Sequence, residues 1–210
     1  NRYAGYGYFN LYEDGNNFTL NGNITTNGDD TPSILISGSN NATITLNGNL
    51  NIQGETLLLN GRGIDIADSS GITITNLGTI TTAGDDPYDI YLRDASTLAT
   101  LNNRQAGLTY YGKIPTNYNA VINSTSDYGK IIFSTVSGTT SFGIYDGSVL
   151  QDNTTYASVI DGLEASNITA GYSGDYSYDG RTWAWTLENS SANLWDLVVG
   201  GCIGCITEDT

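Results

Sequence analysis

The chain has 210 residues and a formal charge of −15, with 22 acidic side chains against 7 Lys and Arg, and it contains no His and no Met. That charge denies it the cationic footprint that nucleic acid or an anionic membrane requires, and without His a Ser-His-Asp centre cannot be assembled. No apolar run approaches the roughly 20 residues of a membrane-crossing helix, so membrane insertion by this chain is not expected.

The remaining composition points to strands. The 15 Tyr and abundant Thr favour extended backbone, whereas the 26 Gly and the many Asn and Asp favour tight turns. No long segment carries a helical apolar stripe, which predicts an all-β chain. Abundant Asn, Thr and Gly with scarce Lys suit a secreted or cell-surface protein. Residue 1 is not Met, which reads as a processed N-terminus or as a piece of something longer.

In chain order, the first feature is a tyrosine cluster at Tyr3, Tyr6, Tyr8 and Tyr12. NGNITTNGDD (21–30) then returns as NLGTITTAGDD (76–86), and halving that interval gives a unit of about 28 residues. At that period Ile24, Ile52 and Ile80 share one column, and Tyr8, Ile36, Ile64 and Leu92 a second. Phe18, Leu46 and Ile74 form a third, and Ile44 and Ile72 a fourth. ITL (44–46), IDI (64–66) and ITI (72–74) alternate with period two, as strands do. A unit of this size cannot bury its apolar side chains alone, but stacked copies can. The expectation is a parallel β-helix over 1–104, with each strand about 4.8 Å from its equivalent in the next coil. The array starts partway through a coil, which would leave the tyrosine cluster on an open strand edge.

The columns lose phase after about Leu101, so a smaller, irregular β module is expected over 105–200, with a Cys-containing tail at 201–210. TWAWTL (182–187) and LWDLVV (194–199) flank ENSSAN as a hairpin, with Trp183, Trp185 and Leu187 on one face of the first strand and Trp195, Leu197 and Val199 sharing a face of the second, so that cross-strand pairing can lock the register. Asp-Gly at 14–15, 146–147, 161–162 and 179–180 also reads as hairpin turns.

The ladder of ITT-type coils, the stretch YGKIPTNYNAVINSTSDYGKIIFSTVSGTTSFGIYDGS and the terminal TWAWTLENSSANLWDLVVG resemble the passenger regions of large bacterial autotransporter-type adhesins. That resemblance implies export across an outer membrane, a right-handed β-helical stalk, a capping hairpin module and mostly adhesive roles. None of the motifs of that family's enzymes is present, so no active-site residues follow from it.

Candidate chemistry is sparse. Asp29/Asp30 and Asp85/Asp86 could act as paired carboxylates, yet each pair follows Gly, and Leu57 and Leu58 stand where the intervening coil should carry acids. Turn formation is the simpler reading. No cofactor is expected; the acids leave weak surface calcium binding open, without an EF-hand loop. Cys202 and Cys205 (CIGC) lack the further ligands of a zinc site. A disulfide, within the chain or to a neighbouring one, is the favoured reading, with two free thiols as the alternative. Seven N-x-S/T triplets, at Asn17, Asn23, Asn41, Asn123, Asn153, Asn167 and Asn189, are expected by chance in such a chain.

Three functions follow as expectations. The first is a non-enzymatic extracellular rod with structural or adhesive duty, its partners being other copies of itself or a host or environmental surface, glycans included. The second is a subunit of a filament joined end to end through Tyr3, Tyr6, Tyr8 and Tyr12, with the cysteines securing the joint. The third is a carboxylate-dependent polysaccharide lyase or hydrolase, which would need two acids beside Arg62 or Arg93 in a groove.

Overall fold

A computed structural model describes residues 9–26, 32–53, 61–84, 87–134 and 137–205. The first coil comprises β1 (Phe9–Leu11), β2 (Asn17–Leu20) and β3 (Ile24–Thr26); the second comprises β4 (Ile34–Ser37), β5 (Thr43–Leu46) and β6 (Leu50–Ile52). The third has β7 (Arg62–Ala67), β8 (Ile72–Asn76) and β9 (Ile80–Thr81). Later coils are two-stranded: β10 (Tyr88–Leu92) with β11 (Leu98–Asn103), β12 (Leu108–Tyr111) with β13 (Asn117–Ala120), β14 (Ile131–Phe133) with β15 (Thr140–Ile144), and β16 (Thr154–Asp161) with β17 (Ile168–Ala170). The last described strands are β18 (Ser173–Tyr178), β19 (Arg181–Ser191) and β20 (Leu194–Ile203). Among the described residues the only helical segment is a 3₁₀ turn at Ala165–Asn167.

Equivalent strands of successive coils pair in parallel. One sheet runs β1-β4-β7-β10-β12-β14-β16, a second β2-β5-β8-β11-β13-β15-β17, and a third stops after β3-β6-β9. The molecule is therefore a parallel β-helix of about six turns.

The expected columns are half right. Ile24 and Ile80 do share a file, but the residue between them is Leu50, because β3 pairs Ile24 with Leu50 and β6 pairs Leu50 with Ile80. Ile36 and Leu92 are likewise bridged by Ile66 in place of Ile64, and Phe18 and Ile74 by Ile44 in place of Leu46. Ile44 and Ile72 are not stacked; Ile72 pairs onward with Leu98. The coils are unequal: the ladder Asn23–Asn49 spans 26 residues and its continuation to Thr79 spans 30. Their mean is 28. The error of two residues preserves the inside–outside parity of a strand, so apolar residues still fell into apolar columns.

The sheets also run through the boundary expected near residue 104. β10 pairs with β12 and β11 with β13, as in the coils below. What changes is coil length: cross-coil spacing falls from 27 residues at Thr75–Asn102 to 17 at Asn102–Asn119. The third sheet has no strand above β9 among the described residues. The Gln105 carboxamide stands in its place, accepting from the Ile80 N–H at 2.6 Å and donating to the Ile80 carbonyl at 3.0 Å. One side chain thus satisfies an edge that would otherwise be bare.

In the two-stranded coils aromatic rings take over the core from isoleucine. The file Ile34–Ile64–Ile90 continues as Tyr110 and Phe133, and Phe18–Ile44–Ile74–Leu101 continues as Tyr118 and Phe142. Burial pushes the Tyr110 and Tyr118 phenols above their ordinary range, and each hydroxyl donates to a backbone carbonyl, of Lys113 and Val159 respectively.

Polar ladders hold the corners. The Ser39 and Ser69 backbone N–H groups donate to the Ser69 and Ser96 hydroxyl oxygens, and all three serines are buried. At the turn between the second and third sheets, Gly22, Gly48 and Gly78 lie over one another so closely that a Cβ at Gly48 would fall 1.9 Å from the Gly22 carbonyl oxygen. Of the four Asp-Gly pairs, only Asp179-Gly180 closes a hairpin, between β18 and β19. Gly15, Gly147 and Gly162 turn corners of the solenoid, each with φ positive, at 69°, 88° and 91°.

The hairpin expected from TWAWTL and LWDLVV is present, with Leu187 opposite Leu197 and Trp185 opposite Val199. Its antiparallel strands end the stack: β20 pairs with β16, and β19 and β18 follow. Trp183, Trp185 and Trp195 are all buried. Trp185 meets Phe142 edge-on at 5.6 Å, and Trp195 donates to the Leu163 carbonyl at 2.7 Å. An aromatic lid thus closes the C-terminal end.

Candidate functional site

The groove with the richest chemistry lies outside the first sheet, on β7, β10 and β12. Strict alternation would put Arg62 and Asp65 on opposite faces of β7. Instead Gly63 and Ile64 are both buried, as are Asp89 and Ile90 in β10. The alternation therefore slips by one residue in both strands, and Arg62 joins Asp65 on the outer face. Gly63 is required there, since a Cβ would meet the Ile80 side chain at 2.2 Å and the Asp89 carbonyl oxygen at 2.5 Å.

Asp65 accepts from Arg62 Nη1 at 2.8 Å and from Arg93 Nε and Nη2 at 2.9 and 2.8 Å. Its side chain is 2% exposed, that of Arg62 18% and that of Arg93 51%. The two-pronged bond to Asp65 holds the Arg93 guanidinium charged even more firmly than usual. Arg62 also lies 3.6 Å over the Tyr91 ring, and Tyr91 stacks on Tyr111 of the next coil at 4.7 Å with 3° between planes. Tyr88 leans on both rings. Arg62, Tyr91, Arg93, Asp94 and Tyr111 line a cavity of about 260 Å³.

Both arginines weighed in the sequence are thus brought together, although by a shared carboxylate that the sequence reading missed. The available signal was scarcity: two of only seven cations fall in adjacent coils. Asp85, Asp86, Asp29, Asp30, Leu57, Leu58, Tyr3, Tyr6 and Tyr8 lie outside the described residues. Tyr12 is 67% exposed and Phe9, near it in the first coil, 48%. Cys202 and Cys205 are joined to each other, with Cα atoms 5.6 Å apart. Among the described residues no three His, Cys, Asp or Glu side chains are grouped to hold a metal ion.

A second buried acid, Asp89, caps the third sheet. Its carboxylate accepts from Thr82, Gln105 and the Thr109 N–H at 3.2, 2.9 and 3.0 Å. Burial raises its pKa, and those hydrogen bonds oppose the rise. It faces the inside of the coil, so its role is to hold Gln105 against Ile80.

The fold and groove define a class, a parallel β-helix with an arginine–tyrosine cleft on one face. No family model, curated protein or solved structure matches the chain.

Proposed function

We propose that the protein is a non-enzymatic, extracellular structural rod that adheres through its surface. The observation that carries this reading is the unbroken stack of coils, closed at one end by a tryptophan-rich lid. A solenoid of that form is stiff and presents long regular faces. The chemistry of Asp65 supports the non-catalytic part: three N–H bonds from two arginines converge on its 2%-exposed carboxylate, which therefore serves as their counter-ion. Asp94, the other acid of the groove, is exposed. Export and surface placement rest on the composition and on the resemblance to autotransporter-type passengers.

The test is electron microscopy of the purified chain, together with retention of chain-coated beads on cells and on glycan-coated surfaces. Single short rods and retained beads are expected. Turnover of a polysaccharide by the purified chain would overturn the reading.

The filament alternative has one observation in its favour: among the described residues β1, β2 and β3 are the outermost strands of the three sheets, with Phe9 and Tyr12 exposed beside them. Strand edges of that kind recruit other chains. The opposite end is covered by the antiparallel lid, so an incoming copy would meet β17 or β18 instead of an open coil. Polymers that vanish on deletion of residues 1–12 would establish the filament in place of the isolated rod.

A further inference from the structure

The arginine–tyrosine groove holds more N–H donors than its structural task uses. Both guanidinium groups converge on the buried Asp65, and with Asp94 at the rim the two cations of the groove face two carboxylates, so what the groove offers a ligand is unused N–H donors. Among the described residues the side-chain hydrogen bonds run through Nη1 of Arg62 and through Nε and Nη2 of Arg93, which leaves Arg62 Nη2 and Arg93 Nη1 unused, with Arg62 Nε buried and without a partner. Unspent forked donors of this kind fit a carboxylate. Beside them Tyr111 supplies aromatic surface, the usual partner of a sugar ring's C–H face, Tyr91 being engaged by Arg62 and by Tyr111 itself, and Asp94 stands at the rim to accept from hydroxyls. At about 260 Å³ the cavity falls just below the roughly 300 Å³ lower bound for drug-sized ligands. It is roomy for a bare ion and sized for a single ring. The −15 charge of the chain repels polyanions at long range, which favours one acidic residue in an otherwise neutral glycan.

We infer that this groove binds a single carboxylated sugar residue, with Arg62 and Arg93 taking the carboxylate and Tyr111 bordering the ring. The inference goes beyond the rod reading and does not depend on it, because it is read on the free chain in solution whether or not the chain adheres or polymerises.

The experiment is an NMR titration of the whole chain with methyl glucuronoside, methyl glucoside and sodium acetate as probes. The glucuronoside is expected to shift the amides of Tyr91, Arg93 and Tyr111 saturably, and to bind at least about tenfold more tightly than either other probe. Arg93→Gln should weaken it by about tenfold or more. Tyr111→Leu keeps both arginines and should weaken it several-fold, so a folding defect in the first variant would not leave the matter open. Equal affinity for the glucoside, affinity for acetate matching the glucuronoside, or no saturable shift with any probe would each overturn the assignment.

Discussion

Gly48→Ala and Gly22→Ala are the same substitution in the same Asn-Gly turn, one coil apart, and they should behave very differently. At Gly48 the new Cβ would sit 1.9 Å from the Gly22 carbonyl oxygen, whereas at Gly22 it would meet nothing within 4 Å. An ordinary carbon–oxygen contact is about 3.3 Å, so the coils would have to part by roughly 1.4 Å, over a quarter of the 4.8 Å strand spacing. Neither partner can turn aside, because both are backbone. Overpacking of that kind costs about 1–3 kcal/mol or more, against about 0.5 kcal/mol or less for an uncrowded surface change. Urea denaturation followed by circular dichroism reads the difference directly. Gly78→Ala, facing the Gly48 carbonyl at the same 1.9 Å, should reproduce the larger loss. Equal small losses at all three positions would refute the stacking that separates them.

Other consequences are open to equally simple measurement. Gln105→Leu removes the amide that pairs with Ile80 and bonds Asp89; a loss of about 2–4 kcal/mol in urea denaturation is expected from several stranded polar groups, and a change below 0.5 kcal/mol would contradict the capping role. Leu50→Ala should cost about 2–5 kcal/mol in the same assay, since Leu50 is 1% exposed between Ile24 and Ile80. Asp89 has a folded-state pKa raised above the ordinary 3.8 by burial. Its stabilising contribution relative to Asp89→Asn is therefore fully present below pH 3.8 and is lost as pH rises through the raised value. Denaturation of both proteins across that range checks the sign, and a difference that grows with pH would contradict it.

The fold was legible in the sequence because burial in a solenoid is periodic. Ile24 and Ile80, or Ile36 and Leu92, stand two coils apart at twice the mean repeat, and alternation fixes which residues face inward whatever the register. The register itself was hidden: a 26-residue coil followed by a 30-residue coil averages to the same apparent period. The shortened coil at Asn102–Asn119 looked like a domain boundary for the same reason, since a lost corner shifts phase without ending the sheets. The terminal hairpin was readable because Trp183, Trp185 and Leu187 alternate within one strand. The groove was not. It depends on a slip at Gly63–Ile64, which turns Arg62 to the face of Asp65, and on pairing Asp65 with Tyr91 and Tyr91 with Tyr111 across coils. Neither signal lies within any one stretch of sequence.

Cysteine trapping tests the stack most directly. Thr25 and Asn51 are paired across the first two coils, so their Cα atoms stand about 4.8 Å apart, within the reach of a disulfide. Gln53 lies two residues further on, which puts it about 8 Å from Thr25, beyond that reach. Oxidation should join Thr25→Cys to Asn51→Cys rapidly, with the native Cys202–Cys205 bond undisturbed, and should leave Thr25→Cys with Gln53→Cys unjoined. The reverse outcome would restore a uniform 28-residue coil, and failure of both pairs would contradict the β-helix itself.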